Sequence, residues 1–541
     1  MELKREKKHQ VKIFFTLLLF VLSINLNAQP VLDTNFGNNG LSITSFGSNN
    51  EDTPHFLLKQ NDQKILTAGL SNDGNTYSIA LSRHLPNGQL DTGFGDNGTV
   101  FIHFASRDVV NAIAVQQNDN KIVLVGYQAQ SNAGSGIVPS VYRFNPDGSV
   151  DTSFGTSGFV ALRYDGVSSG QFYGISLLSD GKILAAGSKT GNANGGSFGF
   201  GAMRFLPDGS LDSTFGIFGK DTINANVLFN DIGCSFTSDG KITMASETLD
   251  NGNMYYILAR MDSLGNVDST FGVNGIIQTN IEARTSEKTI PVVTNEGKIL
   301  LAGTTPINPP TNPNGQFSVF RFLSDGLIDT TFGVSGRTNI DFNLSFTAEC
   351  YDISLTNDEK IILVGRIFNT GKGGIVRLTK DGLPDTSFAP NGKFVSDLSP
   401  SLNYLTNVIA LQDGSIISAG TIFGVSSMDF SLVKYNTSLT AIDDQQNIQP
   451  SSFSLRQNYP NPFNPSTIIQ YQVSSNSQVS LKVYDVLGNE VATLVNEEKP
   501  AGSYEVEFKS SVGNVQLASG IYFYKLQAGS FVETKKMQLL K

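Results

Sequence analysis

Apolar and polar positions along this chain alternate in short bursts separated by tight turns, and no stretch of the repeats keeps a helical period. Residues 111–117 carry Ala-Ile-Ala-Val in the period-two pattern of a half-buried strand. Asn118-Asp119-Asn120 follows, residues that turn a chain tightly because they tolerate left-handed backbone. Lys121 to Gly126 is then a nearly continuous apolar run, as expected of a strand covered on both faces. Val138 to Phe144 predicts another strand before Pro146-Asp147-Gly148, and Thr99 to Phe104 predicts one ahead of them all. This stretch therefore reads as a unit of four strands.

The unit recurs. A variant of Leu-Asp-Thr-x-Phe-Gly places its aromatic ring at Phe36, Phe94, Phe154, Phe215, Phe271, Phe332 and Phe388, at spacings of 58, 60, 61, 56, 61 and 56 residues. A second mark, Asp-Gly-Lys-Ile-Leu-x-Ala-Gly in its fullest form, ends at Gly69, Gly126, Gly187, Ser246, Gly303, Gly365 and Gly420. A third, Arg-Phe-x-Pro-Asp-Gly, starts at Arg83, Arg143, Arg204, Arg260, Arg321, Arg377 and, most altered, Lys434. A four-stranded sheet is marginal alone, whereas stacking it on two neighbours buries both faces and closing the stack into a ring removes the terminal units. The expectation is an all-β seven-bladed β-propeller of four-stranded blades over residues 31–440. An open solenoid or β-helix is the rival, but prefers shorter rungs. The Asp-Thr-x-Phe-Gly beat is read as the link that turns one blade into the next, its Phe packing blade to blade.

The three marks together resemble the delta-60 repeat family of β-propellers, with local departures at Ser246, Ala389 and Lys434. Residues 441–452 are polar and aperiodic and read as a linker. Beyond them the repeats stop, and about seven short strands in residues 453–541 suit a small immunoglobulin-like sandwich. It opens on Asn458, Tyr459, Pro460, Asn461, Pro462, Phe463, Asn464 and Pro465, whose prolines cannot sit in a central strand and so predict an extended edge segment. With Gly488-Asn489, Pro500-Ala501-Gly502, Gly520-Ile521-Tyr522-Phe523 and the basic Lys535-Lys536, this stretch resembles the type A C-terminal sorting domain of the type IX secretion system. The resemblance implies a Gram-negative bacterium of the Bacteroidota kind and passage through an outer-membrane translocon. It further implies a sortase as partner, and either release or attachment at the cell surface.

The start of the chain fits export. Lys4, Arg5, Lys7, Lys8 and Lys12 precede the apolar run Ile13 to Ile24, and small residues end at Ala28 before Gln29, the order of a secretory signal peptide spanning 1–28. Twelve apolar residues fall short of the ~20 that span a bilayer, and no later run approaches that length, so no transmembrane segment is expected in the mature chain. Residues 1–28 carry five basic and two acidic residues, so their loss takes the net charge from −10 to −13. An acidic surface repels phosphate backbones and argues against nucleic acid as a partner. Export would permit a disulfide, yet Cys234 and Cys350 fall in units four and six at different registers and read as small buried hydrophobes.

Composition and spacing offer little chemistry. The histidines of the mature chain, His55, His84 and His103, are not spaced as metal ligands, and the Asp/Asn-Gly turns lack the alternating carboxylates of a calcium loop. No catalytic, metal or cofactor residues are assigned. Gly195-Gly196-Ser197-Phe198-Gly199 matches a nucleophile elbow in letters only, because it lies between strands rather than between strand and helix. The recurring Arg has an equally recurring Asp, at 33, 91, 151, 212, 268, 329 and 385, as its natural partner. The same residues repeat in every unit, with no asymmetric acid–base set, which favours a non-enzymatic scaffold over a secreted hydrolase with a channel site. Its protein or glycan ligand is expected at the unequal loops Gln128 to Pro139, Ser188 to Phe198 and Thr304 to Gln316.

Overall fold

A computed structural model describes residues 29–541 apart from 48–49, 130–135, 166–168, 191–197, 229–231, 285–287, 309–311, 343–346, 369, 399–401, 424–427, 438–452, 459, 501, 513–514, 530 and 541. The leader and the linker thus lie outside the described residues. The chain divides into two compact units, Met1–Leu439 and Thr440–Lys541. Apart from a 3₁₀ turn at Pro390–Gly392, the described residues form strands and the loops joining them.

The first unit holds seven sets of four antiparallel strands. Set 1 runs Glu51–Lys59, Ile65–Asn72, Tyr77–His84 and Thr99–Ile102. The later sets begin with Arg107–Val115, Gly170–Leu177, Gly233–Phe236, Ile290–Val293, Ala348–Leu355 and Leu402–Ala410. Second strands are buried almost throughout, as their continuous apolar runs demand, Ile122–Ala129 being an example. Each first strand lies against the first strand of the next set, and Leu402–Ala410 lies against Glu51–Lys59.

The sequence unit and the sheet are out of phase by one strand. Thr99–Ile102 pairs not with the strand that follows it but with Tyr77–His84 before it, in the register Leu81↔Val100. The Asp-Thr-x-Phe-Gly beat therefore joins the third and fourth strands of one sheet, rather than one sheet to the next. The seventh set lacks a fourth strand of its own sequence. Leu41–Thr44, from the start of the repeats, supplies it by pairing with Met428–Asn436, Leu41 opposite Val433.

Packing between sets rests on the recurring Phe. Phe94, fully buried, sits in one apolar cluster with Leu66 and Leu81 of set 1 and Val110, Leu124 and Phe144 of set 2. Phe36 does the same between Ile417 and Leu432 of set 7 and Leu57 and Ile65 of set 1. Burial of such a ring contributes roughly 1.5–3 kcal/mol.

Over six of the seven Phe lies the recurring Arg. Arg204 packs its guanidinium 4.9 Å from the Phe215 ring centre, Nε donates to Asp212 Oδ2 at 2.7 Å, and Nη1 donates to the Ser263 carbonyl of the next set at 2.9 Å. Arg321 repeats this with Phe332 at 4.7 Å, Asp329 at 2.8 Å and the Lys380 carbonyl at 2.7 Å. The Lys of the second mark joins the same carboxylate, Lys182 reaching Asp212 at 3.2 Å. At the seventh position Lys434 pairs with Asp33 at 2.8 Å, binding the two ends of the repeat region.

Two antiparallel sheets of the second unit share one core, beside a small pairing of Ser511–Val512 with Val515–Gln516. Ser466–Val473 and Gly502–Lys509 anchor one sheet, and Ser477–Tyr484, Glu490–Lys499, Gly520–Ala528 and Phe531–Leu539 form the other. Ile469, Tyr471, Leu481, Tyr524 and Met537 meet between them.

Removing one partner of a buried ion pair strands the other charge at a cost of about 3–5 kcal/mol, so Arg204→Ala is expected to lower the thermal midpoint clearly. Burial opposes ionisation of Asp268, but the Thr270 hydroxyl and amide, Arg260 and Lys241 outweigh it and hold the carboxyl down at about 2. A carboxyl depressed in the fold stabilises it above its unfolded value of about 3.9, and that stability is lost as pH falls through the folded value. Denaturant midpoints should therefore hold steady down to about pH 4 and fall between there and about pH 2. A midpoint unchanged in Arg204→Ala would show that the pair contributes nothing.

Candidate functional site

The glycine that ends each second mark has a purpose the strand pattern hides. In five sets the first strand carries a β-bulge opposite it, between Pro54 and Phe56, Val110 and Ala112, Phe172 and Gly174, Cys350 and Asp352, and Leu405 and Asn407. The bulge presses a first-strand carbonyl onto the second strand. A Cβ on Gly126 would overlap the Val109 carbonyl oxygen, and one on Gly187 would overlap that of Gln171. Only glycine fits such an approach. Set 4 has Ser246 instead, and its first strand begins one residue beyond the bulge position, with Gly233 opposite Ala245.

A bulge re-aims one side chain. The re-aimed residues are His55, Asn111, Tyr173, Tyr351 and Thr406, and all five line one cavity of about 430 Å³ where the first strands converge. Lys288, Asp352, Asn407 and Tyr404 complete its polar and aromatic wall. These five residues are of four kinds, although the sets that carry them are repeats.

His55 Nδ1 lies 2.8 Å from the Val110 carbonyl, which accepts only a proton donor, so Nδ1 carries the hydrogen and Nε2 is left as an acceptor. Burial, with Lys288 nearby, pulls its pKa down to about 4, and the ring is neutral at pH 7. Asp352 keeps part of its surface open to the cavity, but protein walls it in, and that desolvation pushes its carboxyl up to about 6 against the opposing pull of Lys288 and of hydrogen bonds from Val408 and Asn407. The Val408 amide donates to Asp352 Oδ2 at 2.8 Å. Asn111 Nδ2 donates to the Phe172 carbonyl at 2.8 Å, spanning to the next set. Asn407 Oδ1 is buried at the wall without a hydrogen-bond partner.

Sequence reasoning placed no site here. The missed signal is the polar or aromatic residue that breaks alternation just where the partner strand has Gly, as Asn111 does after Val109-Val110. Of the other residues weighed, His84 is buried with Nε2 3.1 Å from Thr44 Oγ1, and the two cysteines form no disulfide. The three unequal loops lie partly, and Gly195 to Ser197 wholly, outside the described residues. Among the described residues no cluster of metal-ligating side chains occurs, and no helix is long and apolar enough to cross a membrane.

In the second unit the Pro-rich opening forms no full strand but lies along a sheet edge: Phe463 makes a parallel bridge with Leu539 of the outermost strand, its amide donating to the Gln538 carbonyl at 2.9 Å and its carbonyl accepting from the Leu540 amide at 3.0 Å. Asn458 donates from its amide to Tyr524 Oη at 2.8 Å and from Nδ2 to Thr467 Oγ1 at 2.9 Å, and Pro460 accepts from Thr467 Oγ1 at 2.8 Å. Asn461 Oδ1 accepts from the Gln538 amide at 2.9 Å, and Phe463 is buried in the core between the flanking Pro462 and Asn464-Pro465. The segment thus contributes Phe463 to the core of this unit. Gly488 and Asn489 close a turn on Asp485, Gly520 starts its strand, and Lys535 pairs with Glu533 at 3.0 Å while Lys536 is exposed.

Known families match both halves of this description. Residues 60–94, 117–154, 178–215, 296–332 and 356–388 match the "Domain of unknown function (DUF5122) beta-propeller", and residues 457–539 match the "Secretion system C-terminal sorting domain". The chain is thus an all-β protein of propeller-type repeats carrying a type IX sorting domain. That domain marks it for export across the outer membrane to the cell surface or extracellular space, through contact with the secretion machinery. No curated protein matches the chain. Solved structures similar to it include a DUF4623 family protein from Bacteroides eggerthii (13% identity, 73% of this chain and 87% of that one, TM-score 0.32). Others are the tail fiber of Staphylococcus aureus phage P68 (12%, 68% and 90%, 0.23) and a putative glycoside hydrolase from Parabacteroides distasonis (12%, 54% and 87%, 0.24). Values this low carry no argument.

Gly126→Ala is expected to cost about 1–3 kcal/mol in urea unfolding, since the new methyl must displace the Val109 carbonyl and with it the bulge that aims Asn111. Ser246→Gly, at a position that already accommodates a Cβ, should cost less than 1 kcal/mol by the ~0.5–1 kcal/mol entropy of a strand glycine. Equal losses at the two positions would sink the link between glycine and bulge.

Proposed function

We propose that the seven sets close into a seven-bladed β-propeller, exported after cleavage between Ala28 and Gln29 and acting as a non-enzymatic binding scaffold. Support for closure comes from Leu41–Thr44 completing the seventh set and from Phe36 packed between sets 7 and 1. The C-terminal unit is read as an immunoglobulin-like sandwich, and the organism as one of the Bacteroidota. Its partners there are the type IX translocon and sortase.

The observation that carries the binding reading is the convergence of bulged residues of four kinds on one cavity whose titratable groups are already engaged with the main chain. His55 and Asp352 each hold a backbone group of a neighbouring set, which fixes them as recognition surfaces instead of poising them as a nucleophile and its base. This moves the expected ligand contact from the unequal loops to the cavity. The alternative, a secreted hydrolase, draws on one feature: Asp352, at about 6, would be a serviceable general acid.

Two measurements test this. Glycan and protein arrays probed with the exported chain should show binding, while a panel of glycoside, ester and peptide substrates should show no turnover; turnover lost in Asp352→Asn would overturn the reading in favour of hydrolysis. Deleting residues 453–541 should leave the remaining chain in the periplasm, detected by fractionation and immunoblotting, and its appearance outside the cell would contradict the assignment of the sorting function to that unit.

A further inference from the structure

The chemistry of the cavity wall narrows what it can hold. This step rests on the binding reading. Three features bear on the ligand. The first is charge: Lys288 and Asp352 lie close enough for the ammonium to lower the Asp352 carboxyl, and between them the cavity is near neutral. Any ligand charge would enter a partly desolvated space without a spare partner, which is costly. The second is hydrogen bonding. His55 Nε2 is fixed as an acceptor by the Val110 carbonyl on the opposite nitrogen, Asn407 Oδ1 is a buried acceptor with no partner, and the ammonium of Lys288, which donates to the His55 carbonyl at 3.5 Å, places a three-proton donor at the wall. A ligand must therefore both donate and accept at several points within one small volume. The third is shape: the rings of Tyr351 and Tyr404 stand edge-to-face with centres 5.8 Å apart, and with Tyr173 they give the cavity flat apolar wall between its polar groups.

We propose that this cavity binds a neutral saccharide unit. Each sugar hydroxyl is at once donor and acceptor, matching the mixed wall, while the C–H faces of the ring pack on tyrosine. About 430 Å³ lies within the ~300–1,000 Å³ range of small-molecule sites. Asn407 Oδ1 has no hydrogen-bond partner within the protein, and a ligand hydroxyl donating to it would satisfy that buried acceptor. A peptide would also be neutral, but its repeating amides are best met by an open strand edge, whereas here the wall is built from side chains re-aimed by bulges.

The test is titration calorimetry of the full exported chain against glucose, galactose, mannose, xylose and their common disaccharides. Glucuronate and glucosamine serve as charged counterparts and a glycine tripeptide amide as the peptide probe. At least one neutral sugar is expected to bind, and Lys288→Met is expected to weaken it about tenfold, the share of one charge-assisted hydrogen bond. Lys288 is half-buried and its replacement nearly isosteric, so a matching thermal midpoint would show the fold intact. Thr53→Val, at the cavity wall, is the second variant should Lys288→Met lower the midpoint, and it too should weaken the sugar. Tighter binding of glucuronate or glucosamine than of its neutral parent would refute neutrality. Binding untouched by both variants would refute the location. Binding of the tripeptide alone, or of another class on the arrays, would refute the saccharide and leave the scaffold reading standing. Turnover abolished by Asp352→Asn would refute both.

Discussion

A guanidinium laid on a phenyl ring, one nitrogen on a carboxylate of its own sheet and another on a carbonyl of the next, is the joint on which the repeat region depends. Each element of it is modest alone. Together they solve a problem that stacked sheets share: apolar faces attract without direction, so nothing in hydrophobic burial fixes how far one sheet slides over its neighbour. Arg204 fixes it, because a planar fork satisfies Asp212 and the Ser263 carbonyl only at one offset. Phe215 beneath it makes the same offset the best packed. The charge is tolerable there because Lys182 and the Thr214 hydroxyl also serve Asp212, leaving no buried lone pair wanting.

Rigidity at that end of each sheet permits departure from regularity at the other. The first strand of five sets gives up ladder geometry at a bulge, and a conserved spacing of glycine in the second strand absorbs the displaced carbonyl. Scaffold and site are thus written in different positions of the same unit. Residues that must be alike, Arg, Asp, Phe and Gly, hold the sheets. Residues at the bulge need share no chemistry, since their side chains face a cavity rather than a neighbouring sheet, and they are of four kinds: His55, Asn111, Tyr173, Tyr351, Thr406.

This division explains what the sequence disclosed. The strands of each unit were legible because burial writes period two or continuous apolar runs, and the Arg–Asp partnership was legible because it recurs at one spacing. The phase of sequence against sheet was not. Thr99–Ile102 carries the same alternation whichever neighbour it pairs with, and only the turn at Phe94-Gly95, which folds the chain back on the strand it has just left, decides the matter. The cavity was illegible for the opposite reason: it is made of positions that do not recur, seen only when the sheets are brought together. The Pro-rich opening of the sorting domain was legible through its prolines, which exclude a central ladder, and it meets a sheet edge at Phe463; the burial of that ring in the core had no mark in the sequence.

The junction between sets 7 and 1 follows from the same joint with one part weakened. Lys434 stands where the others have Arg, and an ammonium is a point charge that reaches Asp33 but has no second arm of fixed geometry. The pairing there also joins residues some four hundred apart in sequence, at an entropic cost that grows only slowly with length. The main chain here repeats that of the other sets. Leu41–Thr44 pairs with Met428–Asn436 as Thr99–Ile102 pairs with Tyr77–His84, and the Gly37 amide donates to the Asn87 carbonyl at 2.6 Å as the Gly95 amide does to that of Asp147 at 2.7 Å. With the guanidinium absent, these backbone bonds and the Lys434–Asp33 pair together hold the offset. A strand shifted by one residue would lift Leu41 off the cluster it joins with Val433 and Tyr435 and move the buried Thr44, so side-chain packing as well as ladder bonds sets the register of this sheet.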